Sequence, residues 1–131
     1  MNKILIVEDE EPILRLLAEQ FTANGFEVIQ AKDGENGLAM AKEKKPDLII
    51  LDLFMPKMDG TTMLKKLRQN GKWGEKVPVI VITNFVTKAS REEVWAYKVA
   101  SFIVKTDLKL PNLIEEVKKK LASSIIHRSS I

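Results

Sequence analysis

The sequence predicts an α/β fold, a doubly wound parallel sheet of five strands with five helices in a three-layer sandwich. Short apolar runs rich in β-branched residues recur along the chain: IleLeuIleVal at 4–7, LeuIleIleLeu at 48–51, ValIleValIle at 79–82 and PheIleVal at 102–104. Such continuous runs suit strands covered on both faces, as in a parallel sheet. Segments of helical period lie between them. Strand and helix therefore alternate through short connections, which implies right-handed crossovers onto one sheet.

The first strand, 4–7, is followed by Pro12, placed where a first helical residue tolerates a missing N–H. Ile13, Leu17 and Phe21 then lay one apolar stripe, and Gly25 is a stop. Residues 26–31 form a weaker, more polar run suited to an edge strand. Asp33 caps a second helix that carries Leu38 and Ala41 and ends before Pro46. After the strand at 48–51, a third helix opens at Asp59 or Gly60 and runs through Met63, Leu64 and Leu67 to an Asn70-Gly71 stop. Trp73 falls in the loop before the strand at 79–82. A fourth helix is expected from about 87 to 99 and a fifth, after the strand at 102–104, from about 111 to 121. Met55, Met58 and Met63 are expected to pack the loop and the third helix. Residues 1–122 make one domain and 123–131 a frayed tail in which His127 is solvated.

A chain of 131 residues, 45% hydrophobic and 30% charged, has the size and balance of one soluble globular domain. It holds no Cys, which excludes a disulfide framework, a thiolate metal site and a Cys nucleophile. No apolar run reaches the roughly 18–20 residues needed to span a bilayer, and no cleavable leader is visible, so a cytoplasmic location is expected. The formal net charge of +3 owes much to Lys118, Lys119, Lys120 and Arg128. Without interleaved aromatics these read as a solvated helix face, and no direct DNA binding is expected.

In an open parallel sheet, ligands gather at the carboxyl ends of the strands. Here the first strand ends in Glu8-Asp9, the third in Asp52, the fourth in Thr83 and the fifth in Lys105, while the edge strand ends in Ala31. If the first and third strands are neighbours, three carboxylates converge, and only a cation or protons relieve their repulsion. Oxygen ligands without His or Cys suit Mg²⁺ or Mn²⁺, and Mg²⁺ also takes phosphate oxygens. A carboxylate can attack a phosphoryl group when charge on the transferring oxygens is neutralised. Metal on one side, Lys105 on the other and the Thr83 hydroxyl would meet that need.

LeuIleIleLeuAspLeuPheMetProLysMetAspGly at 48–60 resembles the phosphoacceptor segment of response-regulator receiver domains. IleLeuIleValGluAsp at 4–9 is similar to that family's acidic pair, ValIleValIleThr at 79–83 to its hydroxyl-bearing strand, and PheIleValLys at 102–105 to its switch aromatic and lysine. The resemblance covers roughly residues 3–121. It implies a flavodoxin-like sheet of strand order 2-1-3-4-5, an order taken from the known arrangement rather than from the residues. It makes Asp52 the phosphoacceptor, Asp9 a direct metal ligand, Glu8 a ligand through water and Phe54 a backbone-carbonyl ligand. Thr83 and Lys105 would grip the phosphoryl group, and Phe102 would move inward as Thr83 is drawn toward it.

The same resemblance implies a sensor histidine kinase or histidine phosphotransfer protein as donor, and no enzymatic activity beyond Mg²⁺-dependent self-phosphorylation and self-dephosphorylation. With only about ten residues after the fifth helix, output is expected through protein contact or phosphorylation-dependent dimerisation. The face expected to serve joins the fourth helix, the fifth strand and the fifth helix, and includes Trp95, Tyr97 and Lys118 to Lys120. Trp95 and Tyr97 either mark a partner surface or cover the sheet. This chain departs from the family in having Thr106 where Pro follows the lysine, and Asn84 where Ala or Gly follows the hydroxyl. Phe54 and Phe85 flank the path of hydrolytic water and predict slow self-dephosphorylation.

A flavin carrier would want a Ser/Thr- and Gly-rich loop where this chain has GluAspGluGluPro. An aspartate-nucleophile phosphatase would want a general acid where Phe54 stands. A degenerate receiver that binds partners without phosphorylation is opposed by intact Asp52, Thr83 and Lys105.

Overall fold

The computed structural model describes the backbone of residues 2–84 and 87–129 and the side chains of 2–84 and 87–123. In chain order its elements are β1 (Lys3–Val7), α1 (Glu11–Ala23), β2 (Glu27–Ala31), α2 (Gly34–Lys44), β3 (Leu48–Asp52), α3 (Gly60–Arg68), α4 (Gly71–Lys76), β4 (Val79–Thr83), α5 (Lys88–Ala96), β5 (Ser101–Val104) and α6 (Leu110–Ser129). A single 3₁₀ turn, Lys105–Asp107, follows β5. All strand pairs are parallel, and the order is β2-β1-β3-β4-β5, as expected.

Period-two alternation divides each central strand between two cores. Leu5, Val7, Ile49, Leu51, Val79 and Val81 belong to one, with Leu38, Met63, Leu64 and Val94 from α2, α3 and α5. Ile4, Ile6, Leu48, Ile50, Ile80 and Ile82 belong to the other, with Leu14, Leu17 and Phe21 from α1 and Leu113 and Val117 from α6. Because both faces are covered, β3 and β4 are buried at every position. At roughly 1.5–3 kcal/mol per buried side chain, this double layer holds the strand ends in place.

Local chemistry sets the helix limits. Asp33 and Asp59 cap α2 and α3 through the N–H groups of Asn36 (2.7 Å) and Thr62 (2.8 Å). Thr87 and Ser90 form a reciprocal capping box on α5. That helix stops at Ala96, short of the expected 99, and Lys98 has a left-handed φ of 59°.

Two further boundaries depart from expectation. A sixth helix, α4, replaces the predicted loop around Trp73, whose indole N–H donates to the Pro46 carbonyl at 3.3 Å. Gly71, with φ +73°, opens this helix two residues beyond the Gln69 C-cap of α3, and at Gly74 a Cβ would fall 2.2 Å from the Leu67 carbonyl oxygen. Helix α6 runs on to Ser129, past the expected end at Leu121, so the backbone of most of the supposed tail is helical; the His127 side chain lies outside the described residues. Met63 is fully buried and Met55 and Met58 pack against the same core, as expected. Trp95 is 46% exposed whereas Tyr97 packs inward, so the two aromatics divide between surface and core. No helix among the described residues is long and apolar enough to cross a membrane.

Candidate functional site

Strand register builds the site. Val7 pairs with Leu51, so the next residues, Glu8 and Asp52, leave the sheet side by side. Asp52 pairs with Ile82 and Thr83 with Val104, which sets Thr83 and then Lys105 on the other flank. Glu8 and Thr83 are fully buried and Asp52 is nearly so, while Asp9 is exposed. After Asp52 the chain folds back, the Gly60 N–H donating to the Leu53 carbonyl at 2.8 Å. Only glycine permits this, because a Cβ on residue 60 would lie 2.3 Å from the Asp52 carbonyl oxygen.

Glu8, Asp9 and Asp52 each bring a carboxylate oxygen to within 4.8 Å of the others. Across from them the Lys105 ammonium, its side chain 7% exposed, lies 3.2 Å from Asp52 Oδ2 and 3.5 Å from Glu10 Oε2, and meets Glu8 Oε1. The Phe54 backbone N–H donates to Asp52 Oδ1 at 3.3 Å.

The electrostatics are not those of a simple ion pair. Burial pushes the Glu8 carboxyl up to about 8, and the facing Asp52 adds to the rise against the pull of Lys105. Burial alone would lower Lys105, but the close contact with Glu8 and the charges of Asp52 and Glu8 outweigh it and raise the ammonium. Although Lys105 touches Glu8, neither buried oxygen of Glu8 has a partner at hydrogen-bond geometry among the described residues. A buried carboxylate so placed demands a cation or a proton. An all-oxygen donor set with an unsatisfied buried carboxylate fits a hard divalent ion such as Mg²⁺.

The other expected site residues take distinct places. The side chains of Phe54, at 51%, and Asn84 are exposed at the rim, and Phe85 lies outside the described residues. Phe102 pairs with Val81, so it shares a sheet face with Thr83, one diagonal step away on the neighbouring strand. It is partly buried, and the Arg91 guanidinium carbon stands 5.5 Å from its ring centroid. Without the family's Pro, the segment after β5 forms the 3₁₀ turn that contains Lys105 and Thr106. Glu10 and Arg91 were not anticipated. Glu10 lies inside the acidic GluAspGluGluPro run, whereas Arg91 had no signal, since only the fold lays α5 against Phe102.

The sequence profile described as the response regulator receiver domain matches residues 4–118. The polar-differentiation response regulator DivK of Brucella anthropi is 31% identical over 123 residues, covering 94% of this chain and 98% of its own length. The alkaline phosphatase synthesis transcriptional regulatory protein PhoP of Bacillus subtilis is 51% identical over 68 residues, but the match spans only 28% of PhoP. A response regulator receiver domain protein (CheY-like) from Methanospirillum hungatei JF-1 shares the fold, with a TM-score of 0.90 at 24% identity over 97% of this chain and 98% of that one. Matched along most of its length by the family profile and by a relative of similar size, the chain belongs to the response regulator receiver domain family of two-component signalling.

Proposed function

We propose that this domain is switched by a phosphoryl group accepted on Asp52 from a sensor histidine kinase or histidine phosphotransfer protein. The observation that carries the proposal is the Lys105 ammonium 3.2 Å from Asp52 Oδ2, opposite the Glu8 and Asp9 carboxylates. An Asp52 oxygen attacks phosphorus, the bond from phosphorus to the donor's leaving atom breaks, and the leaving group departs with the electron pair. Lys105 and the Thr83 hydroxyl neutralise the transferred oxygens. Glu8, Asp9, Asp52 and the Phe54 carbonyl would hold Mg²⁺ or Mn²⁺, whose bound charge offsets that of the phosphoryl oxygens. Hydrolysis returns the carboxylate when water attacks phosphorus and inorganic phosphate leaves; apart from these self-reactions the domain is not an enzyme. The half-exposed Phe54 ring stands beside the water's approach and keeps this step slow.

Two charge-assisted hydrogen bonds made only in the phosphorylated state, at roughly 1.5–3 kcal/mol each, supply about 3–6 kcal/mol. Moving a two-state equilibrium from 1:99 to 99:1 takes about 5.5 kcal/mol. Thr83 drawn toward the phosphoryl group leaves room on the shared sheet face for Phe102 to follow. The signal then leaves the α5–β5–α6 face, where Trp95 is exposed, toward a cytoplasmic protein partner or a second copy of the domain.

Intact-mass measurement after incubation with Mg²⁺ and acetyl phosphate tests the proposal. A gain of one phosphoryl group is expected in the native chain and none in Asp52→Asn. No gain in the native chain would favour a phosphorylation-independent interaction module.

A further inference from the structure

Glu10 is the N-cap of α1, and its backbone carbonyl accepts the Leu14 N–H at 3.0 Å. Glutamate is not among the favoured capping residues, and the Glu10 side chain makes no capping bond. It reaches the other way, to 3.5 Å from Lys105 Nζ. Of the three anionic neighbours of Lys105 among the described residues, Glu8 and Asp52 are buried, while the Glu10 side chain is 47% exposed. Glu10 can therefore swing into water at little cost, whereas the other two cannot.

We propose that Glu10 is a displaceable counter-anion, a positioning residue that holds Lys105 while the acceptor is empty and yields it to the incoming phosphoryl oxygens. This rests on the assignment of Asp52 as acceptor. Two effects follow from the one charge: the ammonium must be released before it can grip the phosphoryl group, and the anionic donor meets a carboxylate at the rim. Both slow acceptance and keep the switch off against casual small donors. Glu11, next in the chain, is the natural control, because its carboxylate pairs with Lys32 at 3.3 Å and with Arg15, not with Lys105.

The test measures acceptance from acetyl phosphate by intact mass at saturating Mg²⁺, and binding of beryllofluoride by fluorine NMR, in native, Glu10→Gln, Glu10→Ser and Glu11→Gln chains. Serine restores a good cap, so Glu10→Ser separates lost charge from lost folding. Both Glu10 variants are expected to accept faster and bind beryllofluoride more tightly by about threefold, the scale of a half-exposed ion pair, with Glu11→Gln unchanged. The gain should shrink between about 0.05 and 0.5 M salt as screening weakens the native contact. Equal or slower acceptance by the Glu10 variants, an equal gain in Glu11→Gln, or a gain indifferent to salt would overturn the role of Glu10. A native chain that takes up no phosphoryl group would instead overturn the acceptor assignment itself.

Discussion

Two cations withdrawn from solvent divide the molecule into a part that holds shape and a part that can change. The Arg68 guanidinium donates to four carbonyls, those of Val77 (2.7 Å), Tyr97 (2.8 Å), Gly74 (3.0 Å) and Lys98 (3.3 Å). These carbonyls lie at the C-terminal ends of α4 and α5, where helix dipoles favour positive charge, and burial lowers the pKa of the guanidinium. Lys105 instead faces the carboxyl groups of Glu8, Glu10 and Asp52, with Asp9 beside them. Backbone carbonyls are fixed, and they pin α3 to the two helices that follow it. Carboxylates in excess over one ammonium leave an unbalanced cluster that an arriving cation or phosphoryl group can rearrange. Satisfied polar groups mark the frame, and unsatisfied ones mark the switch.

Substitutions should sharpen that contrast. The largest effect is expected at Asp52, where Asn abolishes phosphoryl uptake while the fold persists, as judged by intact mass and circular dichroism. At Arg68 the order reverses. Arg68→Ala strands several carbonyls and should cost about 2–4 kcal/mol in urea unfolding, with acceptance of phosphoryl by the remaining folded fraction little changed. A smaller effect of opposite sign is expected from Asp52→Asn on the metal-free protein. Removing one carboxylate beside Glu8 should raise stability by about 1 kcal/mol, and millimolar Mg²⁺ should stabilise the native chain more than the variant.

The smallest effect concerns Ser101 and Glu116. The Ser101 hydroxyl donates to Glu116 Oε1 at 2.6 Å and holds that carboxyl below its ordinary value of 4.5. A depressed carboxyl contributes stability above its unfolded pKa and loses it as pH falls through the folded one. Ser101→Ala should therefore cost less than about 1 kcal/mol at pH 7, and the difference should fade as pH falls from the ordinary 4.5 through the lowered value of the folded carboxyl. Urea unfolding across this range checks it.

What was legible in the sequence follows from the range over which each feature is determined. The strands and their polar tips could be read because burial on both faces selects runs such as 48–51 and the chemistry sits one residue beyond. The sheet order needed the resemblance, since parallel pairing leaves no local mark. Helix α4 was missed because Gly71 and Gly74 suggest a loop, and only packing on α3 and the Trp73 bond to Pro46 make it helical. The end of α6 was misplaced because SerSerIleIleHisArgSerSerIle at 123–131 reads as a frayed tail, while the backbone continues as helix to Ser129. Arg68 gave no signal of its role, and the acidic run around Glu10 did not single it out, because their partners, Tyr97 and Lys105, lie far along the chain and only the completed fold brings them near.

The claim on which the rest depends is that one carboxyl group, at the end of β3, receives the phosphoryl group. Borohydride reduction of the phosphorylated chain converts an acyl phosphate to an alcohol, and peptide mass spectrometry then locates the altered residue. Conversion of Asp52 to homoserine and of no other acidic residue is the predicted result. Conversion of Asp9, Glu8 or any other carboxyl in its place would contradict the account.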